Sequence, residues 1–118
     1  MDNRPMTAQA AELSIVTLPV EIDAINAGTV HAQLVAACTP TASIVVADLS
    51  DTVFCDSSAV RALVQAHRLA VSRDIDFRLV VTSNAVFRVL ELSGLETILR
   101  LYPSIESAVG DGVATGAT

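Results

Sequence analysis

The sequence predicts an α/β fold, a mostly parallel or mixed sheet of four to five strands with about four helices packed on it. Three observations carry this. Short runs rich in Ile, Val and Thr alternate with runs whose apolar residues recur at helical spacing, in the order β-α-β-α-β-α-β-α. One strand run, Ser43 to Leu49, is apolar almost throughout, the pattern of a strand covered on both faces. The 118-residue chain is 52% hydrophobic but holds only four large aromatics, Phe54, Phe77, Phe87 and Tyr102, so a single domain with an aliphatic core is expected.

The elements follow in order. Residues 1–12 are mixed and small and read as a flexible lead-in. Leu13 to Leu18 reads as a strand that Pro19 ends. Ala27 to Ala37 reads as a helix with Val30, Leu34 and Val35 inward and Asn26 as its cap. After the Ser43 to Leu49 strand, Val53 and Phe54 are expected to return to the core. Ser57 to Ser72 is the strongest helix. Val60, Leu63, Val64, His67 and Val71 fall on one face, and Arg61, Gln65, Arg68 and Ser72 on the opposite one. Asp76 to Thr82 is the next strand. Ser83 or Asn84 caps a helix through Leu92, with Val86, Val89 and Leu90 inward and Gly94 as its stop. Ile98 to Leu101 is a short final strand. Pro103 sits at the start of a last helix, Ser104 to Val109, and the glycine-rich residues 110–118 read as a disordered tail.

Charge and composition exclude several classes of function. A net charge of −6 repels phosphate backbones, so no direct nucleic-acid partner is expected. No apolar run approaches the roughly 20 residues of a membrane helix, and Met1 to Ala11 lacks a signal-peptide pattern; no membrane partner and a cytoplasmic location are expected. Cys38 and Cys55 form no CxxC pair and read as buried thiols, with oxidative control as a lesser alternative. No glycine-rich phosphate loop is present, so no cofactor is expected and any ATP belongs to a partner.

The loop after the buried strand carries the chemistry. In such sheets partners meet the loops at the carboxyl ends of strands. Here that loop runs from Ser50 to Asp56, and Asp56-Ser57-Ser58 opens the helix with residues able to accept from its free N–H groups. Helical phase places Ser57 with Val60 and Val64, inward and capping, and Ser58 with Arg61, Gln65 and Arg68 on the wet face. Two readings stay open at this point. The serines are caps without regulation, or Ser58 accepts a phosphate, which a helix N-terminus and Arg61 would favour.

The stretch from Ile44 to Val60, with Phe54 and Asp56-Ser57-Ser58 at its heart, resembles the signature of the STAS domain, the fold of bacterial anti-sigma factor antagonists. Leu92-Ser93-Gly94-Leu95 is similar to a second family element, and Pro19-Val20-Glu21-Ile22-Asp23 to a degenerate form of another. The resemblance spans Leu13 to Val109 and implies a STAS domain over 13–109. It implies a protein that binds an anti-sigma factor with serine-kinase activity and so releases a sigma factor. Phosphorylation of Ser58 switches binding off, and a phosphatase resets it. Glu21 and Asp23 are implied to lie near the same partner surface as Asp56, Ser57, Ser58, Arg61 and Gln65. Ala59 and Val20 stand where the family usually has glycine. The same scaffold also serves non-catalytic subunits of lipid-transport or sensory complexes, which is the alternative reading.

Enzyme readings are weaker. Asp48, Asp51 and Asp56 are expected in a polar surface loop with no His or Cys at ligand spacing, so no metal site is expected. Ser58 and His67 are nine residues apart on one helix, about 13 Å along its axis, too far for a nucleophile and its base. His67 reads as a core histidine and His31 as an exposed or half-buried one. No catalytic residue is expected.

Overall fold

A computed structural model describes residues 12–110. The expected lead-in and tail therefore lie outside the described residues, apart from Glu12 and Gly110. The centre is the strand β3 (Ile44–Leu49), all six residues of which are buried. Apart from Asp48 it is apolar, as a strand can be when strands flank it on both edges and helices or side chains cover both faces. β1 (Leu13–Thr17) pairs with one edge of β3 and β5 (Asp76–Val81) with the other; β6 (Arg100–Tyr102) pairs with β5. The order is β1-β3-β5-β6, and every pairing is parallel. Of the two sheet types expected, the parallel one forms.

Parallel neighbours need long crossovers. Helix α1 (Ala27–Ala37) lies between β1 and β3, α2 (Ser57–Ser72) between β3 and β5, and α3 (Asn84–Leu92) with a 3-10 turn (Leu95–Thr97) between β5 and β6. A last helix, α4 (Ile105–Gly110), follows β6. The ends match the local chemistry. Ser83 Oγ accepts from Val86 N at the start of α3, and Gly94, at φ 76°, stops it. The final strand begins two residues later than expected, because residues 95–97 wind into the 3-10 turn.

The two faces of the sheet are covered unequally. Val45, Ala47 and Leu49 of β3 and Phe77, Leu79 and Val81 of β5 join Leu34, Leu63, Val86 and Leu90 from the three long helices in the main core. Ile44, Val46 and Val80, on the other face, meet Ala108, Tyr102 and Ile105. Leu13 and Ile15, which pair beside Ile44 and Val46, stay partly exposed.

Helix α2 differs from its expected orientation. Its buried residues are Ala59, Ala62, Leu63, Ala66 and Ala70, each one position before the expected stripe of Val60, Leu63, Val64, His67 and Val71. One residue is about 100° of rotation. Val60, Val64 and His67 are only half-buried, and Val71 is 57% exposed. Alanine methyls let α2 approach the sheet and α1 more closely than a valine face would, and dense packing is the stronger constraint.

The minor core encloses a buried arginine. Arg78 sits on β5 beside Val80, with Nη2 2.7 Å from Asp76 Oδ2 and Nη1 donating to the Ala108 carbonyl at 2.6 Å. Its guanidinium also lies 5.8 Å from the centre of the Tyr102 ring. Arg100 reaches the same Asp76 oxygen at 3.0 Å from a much more exposed position. Arg78 therefore ties α4 to the sheet through charge-assisted bonds sheltered from water.

Two contrasts test this packing by urea unfolding. Ala66→Leu should destabilise the fold by about 1–3 kcal/mol through overpacking, while Val71→Ala should change it by no more than about 0.5 kcal/mol; the reverse order would restore the expected valine face. Arg78→Ala should cost about 2–4 kcal/mol, and Arg100→Ala less than about 1 kcal/mol.

Candidate functional site

The site begins with a ladder too short to announce itself in the sequence. β2 (Glu21–Ile22) pairs in parallel with β4 (Phe54–Cys55), Glu21 opposite Phe54 and Ile22 opposite Cys55. Val53 N donates to the Val20 carbonyl at 2.8 Å, and Asp56 N to that of Ile22 at 3.2 Å. Buried Thr52 adds a hydroxyl bond of 2.7 Å to the Pro19 carbonyl. These bonds hold 19–22 against 52–56 at the carboxyl ends of β1 and β3. Glu21 and Asp23 are thereby brought to the start of α2.

Asp56 begins that helix. Its backbone is extended, and its Oδ1 accepts from Ser58 N at 2.8 Å and Ala59 N at 3.3 Å. Asp56 alone provides the cap; Ser57 provides none and is exposed, contrary to the expected inward lean. Ser58 is half-buried rather than on the wet face. Both reversals follow from the rotation of α2, which carries Ser57 outward and sets Ser58 beside buried Ala62. Ser58 now borders a cleft of about 280 Å³ between α1 and α2, together with Arg61, Gln65, Gly28 and His31. Arg61 and Gln65 are exposed at its rim, as expected.

Other expected roles change place. Asn26 stands at the N-cap of α1 without bonding its helix. Its amide instead clamps the preceding turn, Nδ2 donating to the Glu21 carbonyl at 2.7 Å and Oδ1 accepting from Asp23 N at 2.9 Å. Asp23 Oδ1 accepts from Ile25 N at 2.9 Å. The Glu21 side chain is exposed. Val53 and Phe54 do not return to the core: Phe54 is 51% exposed, and Cys55 is the residue that buries. Val20, Ile25, Val53 and Phe54 are exposed apolar residues on the segments around the β2–β4 ladder, where Glu21 and Asp51 are also exposed and Asp23 is half-buried.

The remaining candidates lie apart from this surface. Asp48 is buried, not in a surface loop, and its Oδ1 accepts from Ser50 N at 2.9 Å. Among the described residues no group of three His, Cys, Asp or Glu side chains could hold a metal. His67 packs against Phe77 with ring centroids 6.2 Å apart, well down α2 from Ser58. Cys38 caps the carboxyl end of α1 and Cys55 lies on β4 opposite Ile22; both are free and buried. Burial pushes both thiols up, with Asp56 adding to the effect at Cys55 and Arg73 offsetting it at Cys38. Both therefore stay protonated and poorly nucleophilic. No described helix is long and apolar enough to cross a membrane.

Sequence reasoning missed the contribution of α1 to the cleft, where Gly28 and His31 face Ser58 across the gap. The available signal was the trio of small residues Ala24, Ala27 and Gly28, with His31 one turn beyond Ala27.

A Mycobacterium tuberculosis protein whose name proposes an anti-anti-sigma factor is 33% identical over 69 residues, which cover 58% of this chain and 47% of that protein. The chain thus spans about half the length of this relative. An anti-sigma factor antagonist from Mycobacterium paratuberculosis has a crystal structure matching with TM-score 0.75 and 26% identity, over 82% of both chains. A sulfate transporter family protein from Wolinella succinogenes shares the fold, with TM-score 0.76 at 15% identity over 90% of this chain and 88% of its own. The sequence pattern of the STAS domain matches residues 4–108. With that match over most of its length, the chain belongs to the STAS domain family.

Proposed function

We propose that this chain is an anti-sigma factor antagonist. It binds an anti-sigma factor with serine-kinase activity in the cytoplasm and thereby frees a sigma factor. The observation that carries this reading is the end of the molecule around Ser58: a serine at a capped helix start, next to a short ladder whose segments expose Val20, Val53, Phe54 and Glu21. An apolar centre with a charged rim is the usual anatomy of a protein–protein contact. The acidic rim favours a partner that presents Lys or Arg there. The relatives named as antagonists agree with this role.

Each part has a role in that contact. Phe54, Val53, Val20 and Ile25 supply the apolar area, and Glu21 and Asp23 its charged rim. Asp56 acts through position, because its carboxylate is already committed to the Ser58 and Ala59 amides. Ser57, Arg61 and Gln65 extend the surface along α2.

The switch is a phosphoryl transfer. Ser58 Oγ attacks the γ-phosphorus of ATP held by the partner, the bond to the ADP oxygen breaks, and the hydroxyl proton passes to a base on the partner. Phosphoserine then adds about −1.5 to −2 charge and a bulky hydrated group to a surface built to meet the partner around a small hydroxyl, and binding is lost through steric misfit and the cost of desolvating the dianion. A phosphatase restores the hydroxyl with water. The chain itself contributes no catalytic group and needs no cofactor.

Two measurements check this. Incubation with the cognate kinase and ATP should place phosphate on Ser58 and none on Ser57 in a mass-spectrometric map. Ser58→Glu should bind the partner at least tenfold more weakly than Ser58→Ala, about 1.4 kcal/mol or more. No modification at Ser58 together with normal binding by Ser58→Glu would refute the switch. Phe54→Ala should weaken binding at least fivefold in calorimetry while leaving the melting temperature nearly unchanged, since the ring is half outside the core. Unaltered affinity would move the partner to another face.

A further inference from the structure

Ser58 and Arg61 stand one turn apart on α2, and Gln65 follows one turn on, so the three form one stripe along the cleft. The opposite wall is α1, which keeps the space open with small residues. A Cβ added at Gly28 would meet nothing within 4 Å. One turn along from Ala27, His31 completes that wall. The volume of about 280 Å³ is several times the ~30 Å³ that a water occupies in the liquid.

The charge of the cleft is opposite to that of the chain. The sequence holds 13 Asp and Glu against 7 Lys and Arg. Among the described residues lining the cleft there is no carboxylate, whereas Arg61 and His31 are both present. The acidic residues next to it in sequence are engaged by backbone amides, Asp23 by Ile25 N and Asp56 by Ser58 N and Ala59 N. A half-buried serine thus opens into a polar recess whose ionisable side chains are all basic.

From this juxtaposition we propose that the α1–α2 cleft is a receptacle for the phosphoryl group, in which Arg61 and His31 hold the phosphate once Ser58 carries it. The inference rests on Ser58 as the modified residue. The Arg61 guanidinium offers paired N–H donors that match phosphate oxygens. A ring N–H of His31 adds a donor from the other helix. The phosphate is gripped from two walls and links α1 to α2. A phosphatase must first draw it out of the recess, so the phosphorylated form persists longer than an exposed phosphoserine would.

The test installs phosphoserine at position 58 by genetic encoding, which needs no kinase, and titrates its ³¹P resonance. Free phosphoserine takes its second proton near pH 6. In the folded chain that ionisation should fall roughly 0.5–1 unit below its value in the same chain unfolded in urea, because a fixed cation favours the dianion. Arg61→Gln and His31→Gln should each abolish about half of the difference or more. Alkaline phosphatase should also release phosphate at least threefold faster from either variant than from the parent chain. Identical titration in the folded and unfolded chains, or a shift indifferent to both substitutions, would overturn the receptacle. Kinase mapping of Ser58 is a separate result, so failure of the receptacle and failure of the proposed function are told apart.

Discussion

Asp56 is the residue on which this end of the molecule depends. Its amide bonds to the Ile22 carbonyl and closes the two-residue ladder; its carboxylate accepts from Ser58 N and Ala59 N and starts α2. A ladder of two residues on each side has little strength of its own. The bonds from Thr52 to Pro19 and from Asn26 to Glu21 and Asp23 supply what the ladder lacks. Through Asp56 the position of Ser58 is tied to the segment that carries Glu21 and Asp23.

The second constraint is the alanine face of α2. Because Ala59, Ala62, Ala66 and Ala70 are the buried positions, the helix lies close to the sheet and to α1. That rotation exposes Ser57 and turns Ser58 toward the cleft with Arg61 and His31. The same end of the molecule leaves Phe54 and Val53 facing solvent. The proposed function uses this arrangement: exposed apolar side chains for a contact and, at the same end of the molecule, a hydroxyl whose modification changes the local charge without passing through the core.

Much of the fold was legible in the sequence because it rests on strong local signals. The apolar run of β3, the bounds of α2, the Ser83 cap and the Gly94 stop all appear where their chemistry places them. What was not legible depended on contacts between distant segments. A hydrophobic stripe of valines outweighs alanines when side chains are ranked by greasiness, but close packing favoured the alanines. Phe54 reads as a core residue by composition, yet pairing with Glu21 directs Cys55 inward and Phe54 outward. Asn26 has the right residue type for a cap, and the neighbouring turn captured its amide instead. His31 looked unremarkable until α1 was placed against α2.

In the proposed function, Ser58 is a local switch on an otherwise unchanged fold. Amide ¹H–¹⁵N spectra of the Ser58-phosphorylated and unmodified chains test it most directly. The predicted result is that shifts cluster in 20–31, 53–56 and the first turns of α2, while β5, β6 and α4 keep their resonances. Shifts spread across those distant elements, or their loss through unfolding, would contradict it.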